Sequence, residues 1–207
     1  MKNYKNRNIK ITILLMILII IVFSLLINIQ ILAQYKRGSP APNFTLEAVD
    51  GKFYQLSEFN NIQGQLFLCF VKVGDSSSVN KLRDLITFLE NYKPRENYQV
   101  ITVIENGQDN KKAKEQFLSI QKNTKIPIII LMDDKNKVIN NYQIKRFPTF
   151  LLLRTDLYIN RVYDRFTTRE ERSFYQYLSF ILTSQQNPDN NSNECNNNGI
   201  CPPPPGY

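Results

Sequence analysis

Residues that could carry chemistry are concentrated at Gly74–Ser78, where an apolar run ends and an amphipathic pattern begins. Asp75 supplies a carboxylate there, and three consecutive serines supply hydroxyls. A serine nucleophile needs a base beside it to take up the hydroxyl proton. The chain contains no histidine, which excludes a Ser-His-Asp triad and most metal sites. A serine–lysine pair using Lys72 or Lys81 stays open, although no pattern favours it.

The same junction also has a purely structural interpretation. Aspartate and serine side chains accept hydrogen bonds from the free amides of a helix's first turn. An acidic group at this place also suits the positive end of the helix dipole. The following pattern predicts a helix over residues 78–92 with one apolar face, so we expect these residues to be caps. That face consists of Val79, Leu82, Leu85, Ile86, Leu89 and Tyr92.

Three cysteines are the remaining reactive residues. Cys69 lies inside the apolar run Leu66–Val71, and we expect it to pack in the core, because free cysteine behaves as a small hydrophobe. Cys195 and Cys201 are separated by five residues that include Gly199, which allows a small loop to close. The sequence leaves open whether this pair is a local structural disulfide or a redox pair tethered to the domain.

The first 33 residues have the pattern of a membrane anchor. Residues 1–10 carry four positive side chains and no acidic one, which is half of the net charge of +8. Residues 11–33 are uncharged, and as a helix they are long enough to cross a hydrocarbon layer of about 30 Å. The positive flank predicts a single-pass cell-membrane protein with a cytoplasmic N-terminus and an extracytoplasmic domain. The alternative is a signal peptide cleaved near Ala33, which the length of the run and the large Ile31 disfavour.

Between this segment and the tail, residues 34–183 alternate between strand-like and helix-like patterns. Gln65–Val73, Tyr98–Ile104 and Ile126–Met132 are nearly continuous apolar runs, which are typical of strands buried on both faces. Asp109–Gln121 is a polar stretch with a few apolar residues on one helical face. Strand–helix–strand units of this kind predict an α/β domain with a central mixed sheet flanked by helices.

The last part of the chain has a different pattern. Thr149–Arg154 and Tyr158–Tyr163 are strand-like runs on either side of a short turn, which predicts a hairpin. Thr168 and Glu171 then have the spacing of a capping box, which predicts the start of a closing helix. Residues 184–207 are rich in asparagine and proline and lack apolar clusters, so we expect a disordered tail.

Three motifs carry a resemblance to a known family. Gly38–Leu46 (GSPAPNFTL) resembles an opening motif G-x-x-A-P-x-F-x-L, and Asp50–Lys52 with Leu56–Ser57 is similar to the hairpin and turn that follow it. Tyr142–Thr149 (YQIKRFPT) resembles a Y-x-V-x-x-x-P-T segment. These motifs belong to the membrane-anchored thioredoxin-like proteins of the TlpA/ResA type, within the redoxin group that includes the alkyl hydroperoxide reductases. The resemblance implies a thioredoxin-like fold, with Pro148 in the cis form beside the turn that carries the redox cysteines in this family.

The chain departs from this family at the active turn, which reads W-C-x-x-C in its members. Gly74, Asp75 and Ser78 stand at the tryptophan and at the two cysteines. Thiol–disulfide exchange needs a thiolate nucleophile and a resolving sulfur, and a carboxylate and a hydroxyl provide neither. The peroxide-attacking cysteine of a peroxiredoxin would lie at the same junction and is also absent. We therefore predict no catalytic residue at this turn.

We expect instead a domain that binds an envelope protein or an extended peptide. In the family, backbone groups beside the proline pair with an extended substrate, in the manner of strand addition. The resemblance therefore implies a binding groove between the junction and the proline. Its predicted residues are Gly74, Asp75, Ser76, Ser77, Ser78, Phe147, Pro148 and Thr149.

The sequence is compatible with two other functions. One is a redoxin-type thiol-disulfide oxidoreductase or antioxidant that acts through Cys195 and Cys201 or through a partner's thiols. The other is a structural accessory in an envelope assembly for cytochrome or disulfide biogenesis. We predict neither a cofactor nor a metal site. No basic run is interleaved with aromatic residues, so we predict no nucleic-acid partner.

Overall fold

The computed structural model describes residues 16–18, 35–92, 98–105 and 110–184. It divides the chain into two units, Met1–Gln34 and Tyr35–Tyr207. In the first unit the described residues are one exposed helical stretch, Met16–Leu18, and the rest of the predicted anchor lies outside the described residues. Among the described helices, none combines the length and the apolar character that crossing a bilayer requires. The predicted tail from residue 185 onward, with Cys195 and Cys201, also lies outside them.

The second unit is built on one mixed sheet of seven strands. The strands lie in the order β2-β1-β5-β4-β3-β6-β7, and β3, β4 and β5 are parallel to one another. Their bounds are β1 Thr45–Ala48, β2 Phe53–Gln55, β3 Gln65–Lys72, β4 Tyr98–Glu105, β5 Ile128–Asp133, β6 Thr149–Leu153 and β7 Ile159–Tyr163. The helices are α1 Ser76–Glu90, α2 Asn110–Asn123, α3 Lys137–Asn141 and α4 Thr168–Ser184, and Leu56–Phe59 is a 3-10 turn.

The predicted α/β architecture with a central mixed sheet and helices on both faces is confirmed. Strand β3 shows why its sequence is an unbroken apolar run. Successive side chains of a strand point to opposite faces, so both sets must be apolar when both faces are covered. Phe67, Cys69 and Val71 face a core formed with α1, α2 and α4, which we call the α1 core. Leu66, Leu68 and Phe70 face the opposite core, formed with α3 and the segment 35–62, which we call the α3 core.

Helix α1 carries the predicted apolar face into the α1 core. Five of the six predicted residues are buried, and Tyr92 packs against the same core while remaining half exposed. Helix α4 lies beside α1, because Phe88 contacts Tyr175 with ring centroids 4.9 Å apart. The hydroxyl of Tyr92 donates to that of Ser179 at 3.0 Å. These contacts hold α1 and α4 side by side on the same face of the sheet.

The predicted hairpin is confirmed, whereas the predicted capping box is wrong by one residue. Strands β6 and β7 pair antiparallel around a turn. Helix α4 is capped by Thr167, whose side-chain oxygen accepts from the amide of Glu170 at 3.3 Å. The Glu170 carboxylate accepts from the amides of Asp164 and Arg165, while Glu171 pairs with Lys81 of α1. The box from Thr168 to Glu171 does not form, because the cap lies at Thr167 and the carboxylate of Glu171 pairs with Lys81.

The pairing of β3 with β6 positions the junction that the sequence singled out. The strands are antiparallel, with Phe70 opposite Thr149, so the end of β3 lies beside the start of β6. Chain leaving β3 enters α1 through Gly74 and Asp75. The loop ending at Pro148 therefore lies next to the start of α1, as the resemblance implies, and the Phe147–Pro148 peptide is cis.

Candidate functional site

The candidate site is formed by the β3–α1 junction and the loop that precedes β6. Gly74 makes the turn with a φ of +83°, a region that residues with a Cβ rarely adopt. Open space surrounds the position that a Cβ would take at Gly74, so backbone conformation is the reason for glycine here. Gly74, Ser76 and Ser77 are exposed, while Asp75 and Phe147 are half exposed. These five residues provide the surface of the site.

Asp75 is the N-cap of α1. Its backbone is extended, with φ −90° and ψ 99°, and its side-chain oxygen accepts from the amides of Ser77 at 3.0 Å and Ser78 at 3.3 Å. Two of the free amides at the start of the helix are thereby satisfied. The capping role that the sequence predicts for Asp75 is therefore confirmed, and its carboxylate contacts the helix backbone.

Ser78 closes the junction from inside. It is fully buried, and its hydroxyl oxygen accepts from the backbone amide of Lys72 at 3.1 Å. Its side chain therefore ties the start of α1 to the end of β3. A buried hydroxyl engaged in this way cannot attack a substrate from solvent.

Both lysines that could activate a serine form ion pairs. The ammonium of Lys72 lies 2.8 Å from a carboxylate oxygen of Glu105, at the end of β4. Lys81 pairs with Glu171 of α4 and, at 3.7 Å, with Asp84. The hydrogen bond with Glu171 raises the pKa of Lys81, so its amine stays protonated and is a poor base. The arrangement gives no support to serine–lysine chemistry.

Three of the predicted groove residues contribute no side-chain surface. Ser78 and Thr149 are fully buried, and Pro148 is also buried. The hydroxyl of Thr149 donates to the backbone carbonyl of Arg146 at 2.8 Å, which closes the turn before β6. These three residues are buried because they connect the site to the sheet. A groove here would therefore be formed by Gly74–Ser77 and Phe147.

Tyr35 is buried beside the loop that precedes β6, and the sequence patterns did not predict this contact. The residue is 8% exposed, and its phenol faces Thr149, Arg146 and Asp164. Burial is the main cause of the raised pKa of Tyr35, and the Asp164 charge adds to it. An aromatic residue in the otherwise polar spacer Tyr35–Pro42 was the one signal of this role in the sequence.

The described part of the chain holds one cysteine, Cys69, and it does not reach the site. Its side chain is fully buried in the α1 core, as the sequence predicts. Burial raises the pKa of the Cys69 thiol well above its ordinary range, because the surrounding apolar side chains cannot solvate a thiolate. The junction therefore has no thiolate available from this cysteine.

A separate cleft of about 420 Å³ lies between α1 and α2. It is open and lined partly by polar side chains, and none of the predicted groove residues belongs to it. No group of three or more acidic or cysteine side chains with the placement of a metal site occurs among the described residues. The cleft is lined by Arg83, Ile86, Thr87, Glu90, Gln116, Ser119, Ile120, Asn123 and Thr124.

Removing the cap at Asp75 tests its structural role. We expect Asp75→Ala to lower the free energy of unfolding by about 0.5–2 kcal/mol, because two amides lose their acceptor. Asp75→Asn keeps an acceptor oxygen and is expected to stay within a few tenths of a kcal/mol of the parent. Urea unfolding followed by circular dichroism measures both. An unchanged stability in Asp75→Ala would show that the capping bonds do not contribute.

The reactivity of Cys69 tests its burial. In a Cys195→Ser/Cys201→Ser chain, Cys69 is the remaining thiol, and Ellman's reagent is applied at about pH 8, close to the ordinary cysteine pKa of about 8.5. A raised pKa keeps the thiol protonated at this pH, so we expect labelling to be slower than in urea by on the order of a hundredfold, limited by opening of the fold. Labelling at the same rate with and without urea would contradict the burial.

Comparison with known proteins places the chain in a family. The profile of the AhpC/TSA family matches residues 37–162. The C-terminal domain of a candidate thiol-disulfide oxidoreductase from Bacteroides thetaiotaomicron superimposes with a TM-score of 0.57 at 18% identity, over 73% of this chain and 99% of that one. A thiol:disulfide interchange protein from a Bacteroides species superimposes with a TM-score of 0.56 at 17% identity, over 75% of this chain and 95% of that one.

The thioredoxin domain of a Bacteroides vulgatus thiol-disulfide oxidoreductase gives a TM-score of 0.52 at 18% identity, over 70% and 98% of the two chains. At these identities the likeness establishes the fold, which is thioredoxin-like. No curated protein matches the chain. Because the family profile covers more than half of the sequence, the chain belongs to the AhpC/TSA family of redoxins.

Proposed function

We propose that this redoxin domain binds an extended peptide segment of another protein across the β3–α1 junction and exchanges no thiols there. One observation carries the proposal. The surface at the junction is formed by the exposed Gly74, Ser76 and Ser77 with the half-exposed Asp75 and Phe147, and the carboxylate of Asp75 is occupied as a helix cap. Such a surface offers hydrogen bonds and an apolar contact but no thiol for disulfide exchange.

Free backbone groups at the site support peptide binding. Within the described residues, neither the amide of Ser76 nor that of Phe147 donates to another residue. An extended peptide that lies between them would satisfy both donors through its carbonyl oxygens. Main-chain hydrogen bonds of this kind provide affinity in strand addition, and neighbouring side chains provide selectivity. The ring of Phe147, with the Lys72 ammonium 5.7 Å from its centre, would provide an apolar side-chain contact.

The setting of the domain is part of the same proposal. The basic residues 1–10 and the apolar segment 11–33 support a single-pass anchor in the cell membrane with the domain outside the cytoplasm. The neighbours in structure are described as thiol-disulfide oxidoreductases and interchange proteins. We propose that the partner is an envelope protein, and that the chain acts as an accessory in envelope thiol or cytochrome biogenesis.

A redox function is the second candidate, favoured by family membership. It would require sulfur from Cys195 and Cys201 or from a partner's thiols, because Cys69 is buried. In thiol exchange, a thiolate attacks one sulfur of the substrate disulfide, releases the other as a thiolate, and a second thiol resolves the mixed disulfide. Neither Asp75 nor Ser78 carries sulfur, so neither residue can attack the substrate disulfide or resolve the mixed disulfide.

Partner capture tests the peptide site. A photo-crosslinking residue in place of the exposed Ser77 would record what lies across the junction. We expect Phe147→Asp to lower the crosslinking yield by about tenfold, which corresponds to the loss of one anchoring contact of about 1.4 kcal/mol. Phe53→Asp is the matched control, since Phe53 is 68% exposed on the edge strand β2. Equal yields from Phe147→Asp and the parent would reject the site.

Insulin reduction in the presence of dithiothreitol separates the two candidate functions. We expect the full chain with all three cysteines to give no turnover above the uncatalysed rate, because the residues of the junction, Gly74–Ser78, carry no thiol. Cys195→Ser should then change nothing. Turnover that is lost in Cys195→Ser and kept in Cys69→Ser would establish the redox function in place of peptide binding.

A further inference from the structure

Arg161 is a cation on the edge strand β7 for which the described domain provides no anion. Its guanidinium stacks on the ring of Tyr177, with 4.0 Å between the guanidinium carbon and the ring centre. The side-chain amide of Asn160 donates to the Tyr177 hydroxyl at 3.0 Å and so holds this ring in place. Arg161 is half exposed, yet its Nε is buried without a hydrogen bond, and no described carboxylate pairs with it. A partly buried charge is costly unless an anion compensates it.

A second group without a partner lies beside Arg161. Tyr163 is two residues further along β7, so its side chain lies on the same face of the strand. The residue is 5% exposed, and its hydroxyl makes no hydrogen bond within the described residues. Burial raises the pKa of Tyr163 to about 12, although the charge of Arg161 opposes this rise, so the phenol stays protonated and is a donor. Arg161 and Tyr163 therefore present donors that lack an acceptor.

The carboxylate of Glu170 does not provide this acceptor. Its charge acts on Tyr163, but its two oxygens accept from the backbone amides of Asp164 and Arg165 at 3.3 and 3.0 Å. It forms no ion pair with Arg161. The anion that suits Arg161 must therefore come from outside the described domain.

The chain that follows α4 starts within reach of Arg161. Helix α4 ends at Ser184, seven residues after Tyr177, which is a distance of about 10.5 Å along the helix axis. The first acidic residue beyond the helix is Asp189, and five residues of extended chain span up to about 17 Å. A chain that turns back at the end of α4 can therefore bring Asp189 level with Tyr177.

The sequence after Ser184 favours such a turn. Asn187 and Pro188 form a dipeptide typical of turns, and a proline cannot continue the helix. Asp189 follows this dipeptide directly. Charge favours the same arrangement, because residues 185–207 contain two acidic residues and no basic one, whereas the whole chain has a net charge of +8.

We propose that the segment after α4 folds back along the helix and that the carboxylate of Asp189 pairs with Arg161. The planar guanidinium suits the two oxygens of a carboxylate, and the Tyr163 hydroxyl is a further donor beside it. A carboxylate of the same chain is favoured over one from another protein, because its short link to α4 gives it a high effective concentration. Cys195, six residues beyond Asp189, would then lie within about 20 Å of Arg161. The inference does not depend on the proposed peptide site.

Electron paramagnetic resonance tests the pairing in the full chain, held in a nonionic detergent. A nitroxide is attached at Asn191→Cys in a chain that also carries Cys195→Ser and Cys201→Ser, and the buried Cys69 stays unlabelled. We expect an immobile component in the spectrum. Asp189→Asn should lower the ratio of immobile to mobile label by about fivefold, as expected for the loss of one ion pair. This change leaves every contact within the described domain in place.

Changes on β7 and α4 provide the controls. Arg161→Gln should lower the ratio as much as Asp189→Asn does, whereas Arg172→Gln, at an exposed position of α4, should leave it unchanged. Exchange of the charges in Arg161→Glu/Asp189→Arg should restore the immobile component. Equal label mobility in the parent and in Asp189→Asn would overturn the proposal, as would an effect of Arg161→Gln that Asp189→Asn does not share.

Carbodiimide coupling then identifies the carboxylate. In Arg161→Lys the reagent joins the amine at position 161 to a carboxylate in contact with it, and mass spectrometry of the digested chain identifies the linked residue. We expect a link to Asp189. A link to Glu170, to Glu194 or to a second protein in place of Asp189 would overturn the assignment.

Discussion

The pairing of β3 with its two neighbours is the constraint on which the rest of the domain depends. The strand is parallel to β4 and antiparallel to β6, and its side chains fill both cores. Its end therefore determines where α1 begins, and its register with β6 determines where Pro148 lies. Because strand and helix meet at a fixed place, the junction keeps its position in the fold whatever side chains it carries.

Fold and redox chemistry are separable at this junction. The first turn of α1 leaves amides that need acceptors, and the end of β3 leaves an amide at Lys72. Asp75 and Ser78 satisfy these donors through oxygen atoms, which accept hydrogen bonds better than a thiol does. The backbone connection typical of a redoxin is thus retained with side chains that stabilise it and cannot exchange electrons.

Sequence patterns correctly predicted the strands and helices whose apolar side chains are buried on one or both faces. The run around Cys69 and the stripe of α1 follow directly from the two covered faces of β3. Long-range contacts decided what the patterns missed. The glutamate of the predicted cap at Thr168 pairs with Lys81, and Ser78 is buried because it binds the amide of Lys72. Tyr35 reaches residues more than a hundred positions away, and no local period in the sequence records such a contact.

The distribution of charge distinguishes two groups of basic residues. On the sheet side the ammonium of Lys72 is matched by the carboxylate of Glu105 across parallel strands, which keeps a half-buried charge from remaining unpaired. Lys36 and Lys145 are instead exposed and form no ion pair with a described residue. A matched pair stabilises the fold, whereas an unmatched exposed cation contributes little to it and stays available to a ligand.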